Sequence, residues 1–280
     1  MIILKSTIEL NNWFIENLNG FVENVGFVPT MGALHMGHAS LIEKASKECQ
    51  IVVVSILVNP TQFNEKADLL SYPRTLENDR IVAEKAGGTI LFTPSPKDIY
   101  GGTPYAEPVD YGPITSTFEG FSRQGHFDGV VAVVDKLFLA VKPNRAYFGS
   151  KDLQQVAVVE RMSNERHPNI KIVSCDLIRD ENGLALSSRN IRLSYAGIIL
   201  AQNISQELKT VAERVKDGVD MIDSVEIAKK KLKNLEGLEL EYISGVNCKT
   251  FSISPENRGW SHIIVAARVE GVRLIDNIEL

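Results

Sequence analysis

Thr30-Met31-Gly32-Ala33-Leu34-His35-Met36-Gly37-His38 is the stretch whose reading decides the fold. Val25 to Pro29, short and apolar, runs into it. From Ala39 onward, Leu41, Ile42, Ala45 and Cys49 recur at helical spacing. Ile51 to Val58 is then nearly continuous apolar and β-branched sequence, the pattern of a strand buried on both faces of a parallel sheet. Strand, loop, helix and strand are predicted in that order, with glycines and histidines at the helix entry.

A helix N-terminus presents unpaired N–H groups and the positive end of the helix dipole, so it attracts anions. Gly32 and Gly37 allow backbone to approach a ligand closely. His35 and His38 are three residues apart, which puts them on one side of a helical turn. Two imidazoles there are able to donate hydrogen bonds to phosphate oxygens. A glycine-rich turn with two incidental histidines has the same spacing.

The bulk properties suit a globular protein. With 280 residues, one large domain and a smaller one are expected. Apolar residues make up 44% and charged residues 23%, which supplies an ample core. The net charge of −5, with no basic tract, argues against a nucleic-acid partner. Cys49, Cys175 and Cys248 are far apart and form no C-x-x-C, so neither a zinc site nor a disulfide framework is indicated. No apolar run approaches the ~18 residues of a membrane span, and the N-terminal Met1-Ile2-Ile3-Leu4-Lys5 is too short for a signal peptide. A soluble protein of a reducing compartment is expected.

Further along, Ser6 to Leu18 is predicted to be a helix with Leu10, Phe14 and Leu18 on one side. Asn59 and Gln62, just past the second strand of the organising unit, lie where open α/β sheets bind ligands and offer amide groups to a polar substrate. Asn59 also suits a proline turn. Thr75 opens a helix running to about Ala86, as an N-cap with Glu77 and Asp79 in its first turn. Thr89 to Thr93 reads as a third strand, and Pro94 to Gly112 as a long loop. The next helix carries Val130, Val133, Val134, Leu137, Phe138 and Val141 as its buried stripe. Arg123 and His126 precede it, either as a second cationic entry or as a solvated Arg and a structural His. A fourth strand, Ala146 to Gly149, leads into Ser150-Lys151-Asp152 and a helix bearing Gln155. Lys151 offers a point charge for phosphate. Ile170 to Leu177 is a fifth strand, and Arg179 to Gly183 a polar break. Ser187-Ser188-Arg189-Asn190 is able to wrap a triphosphate or to cap a helix. Helices at Tyr195–Lys216 and 225–235, then strands at 238–246, 263–269 and 272–278, complete a small α+β module.

His35-Met36-Gly37-His38 resembles the H-x-G-H signature of nucleotidylyl-transferring enzymes related to class I aminoacyl-tRNA synthetases. The longer string Pro29 to His38 resembles the pantothenate synthetase family, ligases that join pantoate to β-alanine with ATP. Further matches to that family come in order and spacing. They are Asn59-Pro60-x-Gln62-Phe63, Tyr72-Pro73-Arg74, Arg123-x-Gly125-His126-Phe127-x-Gly129-Val130, Gly149-x-Lys151-Asp152-x-Gln154-Gln155 and Gly183-Leu184-Ala185-x-Ser187-Ser188-Arg189-Asn190. Arg273-Leu274-Ile275-Asp276-Asn277 resembles the family's terminal strand.

The resemblance implies an α/β, Rossmann-like doubly wound parallel sheet over residues 1–178, binding ATP and pantoate, and a smaller C-terminal α+β lid domain over 179–280. It implies a cytoplasmic homodimer whose partners are small molecules, with no nucleic acid and no membrane. ATP would be surrounded by Met31, Gly32, Ala33, Leu34, His35, Met36, Gly37 and His38, by Gly149, Ser150, Lys151 and Asp152, by Ile178, and by Leu186, Ser187, Ser188 and Arg189. His38 would be the catalytic proton donor, with His35 and Lys151 beside it in the catalytic set. Gln62 and Gln155 would hold pantoate, Gln62 also lying near β-alanine, with Asn59 joined to this substrate group. Mg²⁺ would arrive with ATP. Gln124 stands in place of a usual Pro, Ser150 in place of a larger polar residue, and Asn78 in place of an acidic residue that would help to hold the metal.

The expected chemistry follows from the substrates. A carboxylate is a poor acyl donor, so pantoate is first adenylated with loss of pyrophosphate, and the amine then displaces AMP. Charge building on the bridging oxygen would meet His35, His38, Lys151 and Arg189. Gly183 to Asn190 is expected to be a mobile clamp hinged at Arg179 to Gly183. Two other readings are a nucleotidylyltransferase of the same fold acting on another small acid, and a non-catalytic nucleotide-binding protein.

Overall fold

A computed structural model describes residues 1–17, 24–64, 66–252 and 259–280. It divides into two compact units, Met1–Ser150 with Val158–Asp176, and Lys151–Ala157 with Leu177–Leu280.

In the first unit, among the described residues, six strands form one parallel sheet. They are β1 (Ile2–Leu4), β2 (Val25–Thr30), β3 (Ile51–Ile56), β4 (Ile90–Phe92), β5 (Arg145–Gly149) and β6 (Lys171–Cys175), in the spatial order β1-β4-β3-β2-β5-β6. The helices are α1 (Thr7–Asn17), α2 (Met36–Glu48), α3 (Lys66–Ser71), α4 (Leu76–Lys85), α5 (Pro96–Tyr100), α6 (Pro113–Ser116), α7 (Glu119–Ser122), α8 (His126–Val141) and α9 (Leu153–Arg166). α9 begins in residues grouped with the second unit and ends in the first.

The central strands are the continuous apolar runs, and Phe27, Val28, Val53 and Val54 have no exposed surface. They are covered on both faces, so they do not alternate. The order of strands reverses between β2 and β5, which pair through Gly26 with Arg145 and Phe27 with Ala146. Loops leaving the carboxyl ends of two such strands diverge and open a crevice, the usual ligand site of this architecture. Leu10 of α1 is buried as expected; Leu18 lies outside the described residues. The short edge strand β1 has no counterpart in the sequence reading, because Ile2 to Leu4 offers too few residues to show a period.

The second unit contains α10 (Tyr195–Lys216), α11 (Met221–Lys233) and an antiparallel sheet of β7 (Leu238–Val246), β8 (His262–Val269) and β9 (Val272–Glu279), β9 lying at one edge. Leu208, Val211, Ala228 and Leu232 from the helices pack with Ile263, Val265, Ala267 and Leu274 from the sheet in one core.

Candidate active site

α2 begins at Met36, three residues before the apolar period starts, and His35 is its N-cap. His35 Nδ1 accepts from the N–H of Gly37 at 3.1 Å, and His38 Nδ1 accepts from the N–H of His35 at 3.3 Å. This is a capping box made by two imidazoles, the place usually taken by Ser and Glu. The two rings lie 4.2 Å apart, tilted by 49°. A backbone N–H only donates, so both Nδ1 atoms are acceptors and each neutral ring carries its proton on Nε2. The histidines are therefore held at the positive end of α2 in the tautomer that offers Nε2–H.

The loop feeding this cap is held from a distance. Asp79, in the first turn of α4, is 1% exposed. Its Oδ1 accepts from Leu34 N–H at 2.7 Å and its Oδ2 from Ala33 N–H at 3.1 Å. Thr75 occupies the N-cap position of α4, yet its side chain makes no cap bond; its hydroxyl donates to Asp79 Oδ1 at 3.0 Å. Gly32 and Ala33 both have positive φ, +85° and +51°. Both carboxylate oxygens of Asp79, the residue beside Asn78, thus accept bonds from within the protein. Among the described residues no group of three or more His, Cys, Asp or Glu is arranged to hold a metal ion.

A second constellation forms around the turn Pro60–Gln62, which follows β3. Asn59 is 1% exposed and its amide is fully engaged within the protein. Its Oδ1 accepts from Thr61 N–H, Thr61 Oγ1 and Tyr100 OH, and its Nδ2 donates to Gln62 Oε1 at 3.1 Å and to the carbonyl of Gly129 at 3.0 Å. Asn59, expected beside substrate, has its amide bonded within the turn, where its Nδ2 holds the amide oxygen of Gln62. Gln62 is half-buried. Its carbonyl accepts from His126 Nδ1 at 2.9 Å, so His126 Nε2 is the acceptor facing Arg123 Nη1 at 3.0 Å. Arg123 also lies 3.7 Å from Glu119. His126 thus has a structural place, and with the half-buried Arg123 it braces the Gln62 turn. The loop carrying Gln124 is closed by Asn64, which donates to the Gln124 carbonyl, and by His126 N–H on Arg123.

β5 delivers Gly149 and Ser150, both half-buried, beside the end of β2. Of the other expected residues of the first unit, Leu34 is buried, Met31 half-buried and Met36 66% exposed.

In the second unit Lys151 Nζ lies 3.8 Å from Asp152, and the Lys151 carbonyl accepts from Asn277 Nδ2 at 3.1 Å. Gln155 is half-buried on the first turn of α9. Ile178 and Leu186 are brought together, the Leu186 N–H donating to the Ile178 carbonyl at 3.0 Å. The polar break is hydrogen-bonded within itself. Arg179 bridges Ala185 in antiparallel fashion, Gly183 N–H donates to Asp180 O, and Leu184 N–H to Asp180 Oδ1. Ser187 Oγ accepts from Arg189 N–H at 3.3 Å, and Asn190 Nδ2 donates to Ala185 O. The cap of the following helix α10 is Ser194, not Ser187 or Ser188.

A parallel sheet with paired histidines capping the helix behind its first central strand, at the reversal of strand order, defines an H-x-G-H nucleotide-using enzyme of the Rossmann-like class. Residues 2–279 match the model of the pantoate–β-alanine ligase family. A pantothenate synthetase of Cytophaga hutchinsonii is 44% identical over 258 residues, covering 91% of each chain. The crystal structure of pantothenate synthetase from Thermus thermophilus superposes with a TM-score of 0.91 at 38% identity, covering 100% of this chain and 99% of that one. A pantoate–β-alanine ligase of Francisella tularensis, complexed with beta-gamma ATP and β-alanine, gives a TM-score of 0.82 at 36% identity, covering 100% and 97%. The chain belongs to the pantoate–β-alanine ligase family. Membership makes it an ATP-dependent ligase joining pantoate to β-alanine.

Proposed function

We propose that ligation runs through a pantoyl adenylate. The pantoate carboxylate attacks the α-phosphorus of ATP, the bond to the bridging oxygen breaks, and pyrophosphate leaves. The β-alanine amine then attacks the acyl carbon, and AMP leaves with the electron pair of the broken acyl–phosphate bond. The observation that carries this reading is the histidine cap. Two Nε2–H groups at the positive end of α2 suit charge that develops on phosphate oxygens. His38 is assigned as the proton donor and His35 as its neighbour on the same phosphates.

In the first unit, Met31 to His38 with Gly149 and Ser150 are assigned to ATP, and Gln62 to pantoate and β-alanine. In the second, Lys151, Asp152, Ile178 and Leu186 to Arg189 are assigned to ATP, and Gln155 to pantoate. Mg²⁺ belongs to this proposal as an ion carried on ATP, held by phosphates and water; no step is assigned to protein-bound metal. A homodimer in the cytoplasm is part of the same proposal. No helix among the described residues is long and apolar enough to cross a membrane.

The test is isotope exchange between pyrophosphate and ATP. Exchange that needs pantoate but proceeds without β-alanine is expected. Exchange that strictly requires β-alanine would reject the adenylate. Pyrophosphate release with a nucleotidylated product that persists, and no free AMP, would favour a nucleotidylyltransferase.

A further inference from the structure

The Asp276-Asn277 pair on β9 is a motif to which the proposed chemistry assigns no role. Val272, Leu274 and Asp276 are successive residues on one face of that strand, and all are buried. A carboxylate thus interrupts an apolar row that faces the core. Simple stability would be served by another aliphatic residue, since buried ion pairs are often no better than apolar packing of the same volume.

What the carboxylate does is geometric. Asp276 Oδ2 and Oδ1 receive Arg179 Nη1 and Nη2 at 2.7 and 2.9 Å, a forked pair. The same guanidinium donates to the carbonyls of Gly183 and Asn277, each at 2.9 Å. Asp276 Oδ1 also accepts from Asn277 N–H at 2.7 Å. The Asn277 side chain reaches the other way and donates to the carbonyl of Lys151 at 3.1 Å. Asn277 is 6% exposed, so a lost bond there is not replaced cheaply by water. Two adjacent residues on an edge strand therefore tie down the main chain at Lys151 and the turn that precedes Ser187 to Arg189.

We propose that Asn277, backed by the Asp276–Arg179 pair, is a positioning residue for ATP, fixing the backbone from which Lys151 extends. The inference rests on the assignment of Lys151 to the phosphates. Breaking the Asn277 bond frees the start of α9 and widens the range of positions open to the Lys151 ammonium. Asn277→Asp is the sharper variant, because its shape is kept while the donor is lost.

The experiment compares N277A, N277D and K151A by hydrogen exchange and by steady-state kinetics. Faster exchange of amides 151–155 in both Asn277 variants is expected, with KM for ATP raised about tenfold, the size of one lost hydrogen bond. KM for pantoate should stay within about twofold. Adding N277A to K151A should change KM for ATP little, since the positioned group is gone. Unchanged exchange at 151–155 overturns the inference whatever the kinetics. So does faster exchange with normal KM for ATP in N277A when K151A raises it. If neither N277A nor K151A alters KM for ATP, the assignment of Lys151 is wrong and the inference falls with it.

Discussion

The N–H of Leu34 donates to Oδ1 of Asp79 at 2.7 Å, joining residues 45 apart in the chain. Asp79 belongs to a different helix from the histidines, yet it holds the loop that sets where their helix begins. Its removal leaves the Ala33 and Leu34 N–H groups without their acceptor, at about 1–3 kcal/mol for each buried donor. Asp79→Ala should therefore lower the melting temperature and shift the cap. Asp79→Asn keeps the shape but presents an NH₂ to one of the two donors. Because a misplacement of about 1 Å can cost about 10²-fold in rate, pyrophosphate exchange should fall sharply in Asp79→Asn. KM for pantoate should change less, since Gln62 is held by other groups. Unaltered exchange rates in a folded Asp79→Asn variant would show that the loop keeps its place without the carboxylate.

The same loop makes a second, opposite pair of expectations. Gly32 has φ +85°, and a Cβ there would come within 3.0 Å of Asp79 Oδ2 and 3.1 Å of Ile56 Cγ2. Gly32→Ala should destabilise by more than about 1 kcal/mol, because both the backbone angle and the space oppose it. Ala33 carries a side chain at φ +51°, which costs energy that glycine would not incur. Ala33→Gly should be neutral or stabilising by up to about 1 kcal/mol in chemical denaturation. Destabilisation by Ala33→Gly would mean that the Asp79 bonds leave no strain at that residue.

His38→Ala removes one Nε2–H donor and the acceptor of the His35 N–H. Loss of one preorganised donor is expected to cost about 10²–10³ in adenylation rate, or about 3–4 kcal/mol. His38→Asn offers a short polar side chain at the same helix position and should recover stability more than rate. Single-turnover adenylation measured beside thermal melts separates the two. Near-normal adenylation by His38→Ala would remove His38 from the catalytic set.

These cases show where sequence is legible. The β2–α2–β3 unit is readable because its signals are local: apolar runs for buried strands, a helical period from Leu41 to Cys49, glycine and histidine between them. The helices and strands of the second unit are equally plain, Tyr195–Lys216 and Leu238–Val246 matching their observed ends. The paired histidines read as phosphate donors, but not as the two halves of a capping box, because His in that role is unusual. The long-range bonds of Asp79, Asn59 and His126 are not legible for one reason. Each acts on a backbone group far away in sequence, at Leu34, Gly129 and Gln62, and no local period records such a bond. Tyr100 leaves no signal at all, since its hydroxyl meets Asn59 only after the loop that follows β4 has folded back.

The turn before Ser187 is expected to be protected without nucleotide. Gly183, Leu184 and Leu186 N–H groups already have acceptors, and Arg179 is clasped by Asp276. Hydrogen exchange of the protein alone should show slow amides at those three positions. Arg189→Ala should raise KM for ATP by about tenfold or more, as a charge-assisted bond to phosphate is lost. Rapid exchange at 183, 184 and 186 that slows when ATP and pantoate bind would support a mobile clamp instead.

Gly129 supplies the most direct test of the Gln62 turn. It lies in the first turn of α8, where the helix runs against Pro60–Gln62. A Cβ at this position would sit 2.4 Å from the Thr61 carbonyl oxygen, 2.5 Å from its carbon and 2.7 Å from the Gln62 nitrogen. All three are backbone atoms, so no rotamer change relieves the overlap, and either α8 or the turn must move. α8 is anchored by ten buried residues, from His126 to Val141, so the turn should yield first. Moving it stretches the Asn59–Gly129 and His126–Gln62 bonds that aim the Gln62 amide. Gly129→Ala should therefore weaken pantoate binding by about tenfold to a hundredfold in calorimetry, with a smaller change for ATP, whose assigned residues lie elsewhere. Gln62→Ala should show the same selectivity without the loss of stability, because it removes the amide but leaves the backbone packing intact. If Gly129→Ala weakened ATP as much as pantoate, the turn would not be a pantoate element distinct from the nucleotide loop.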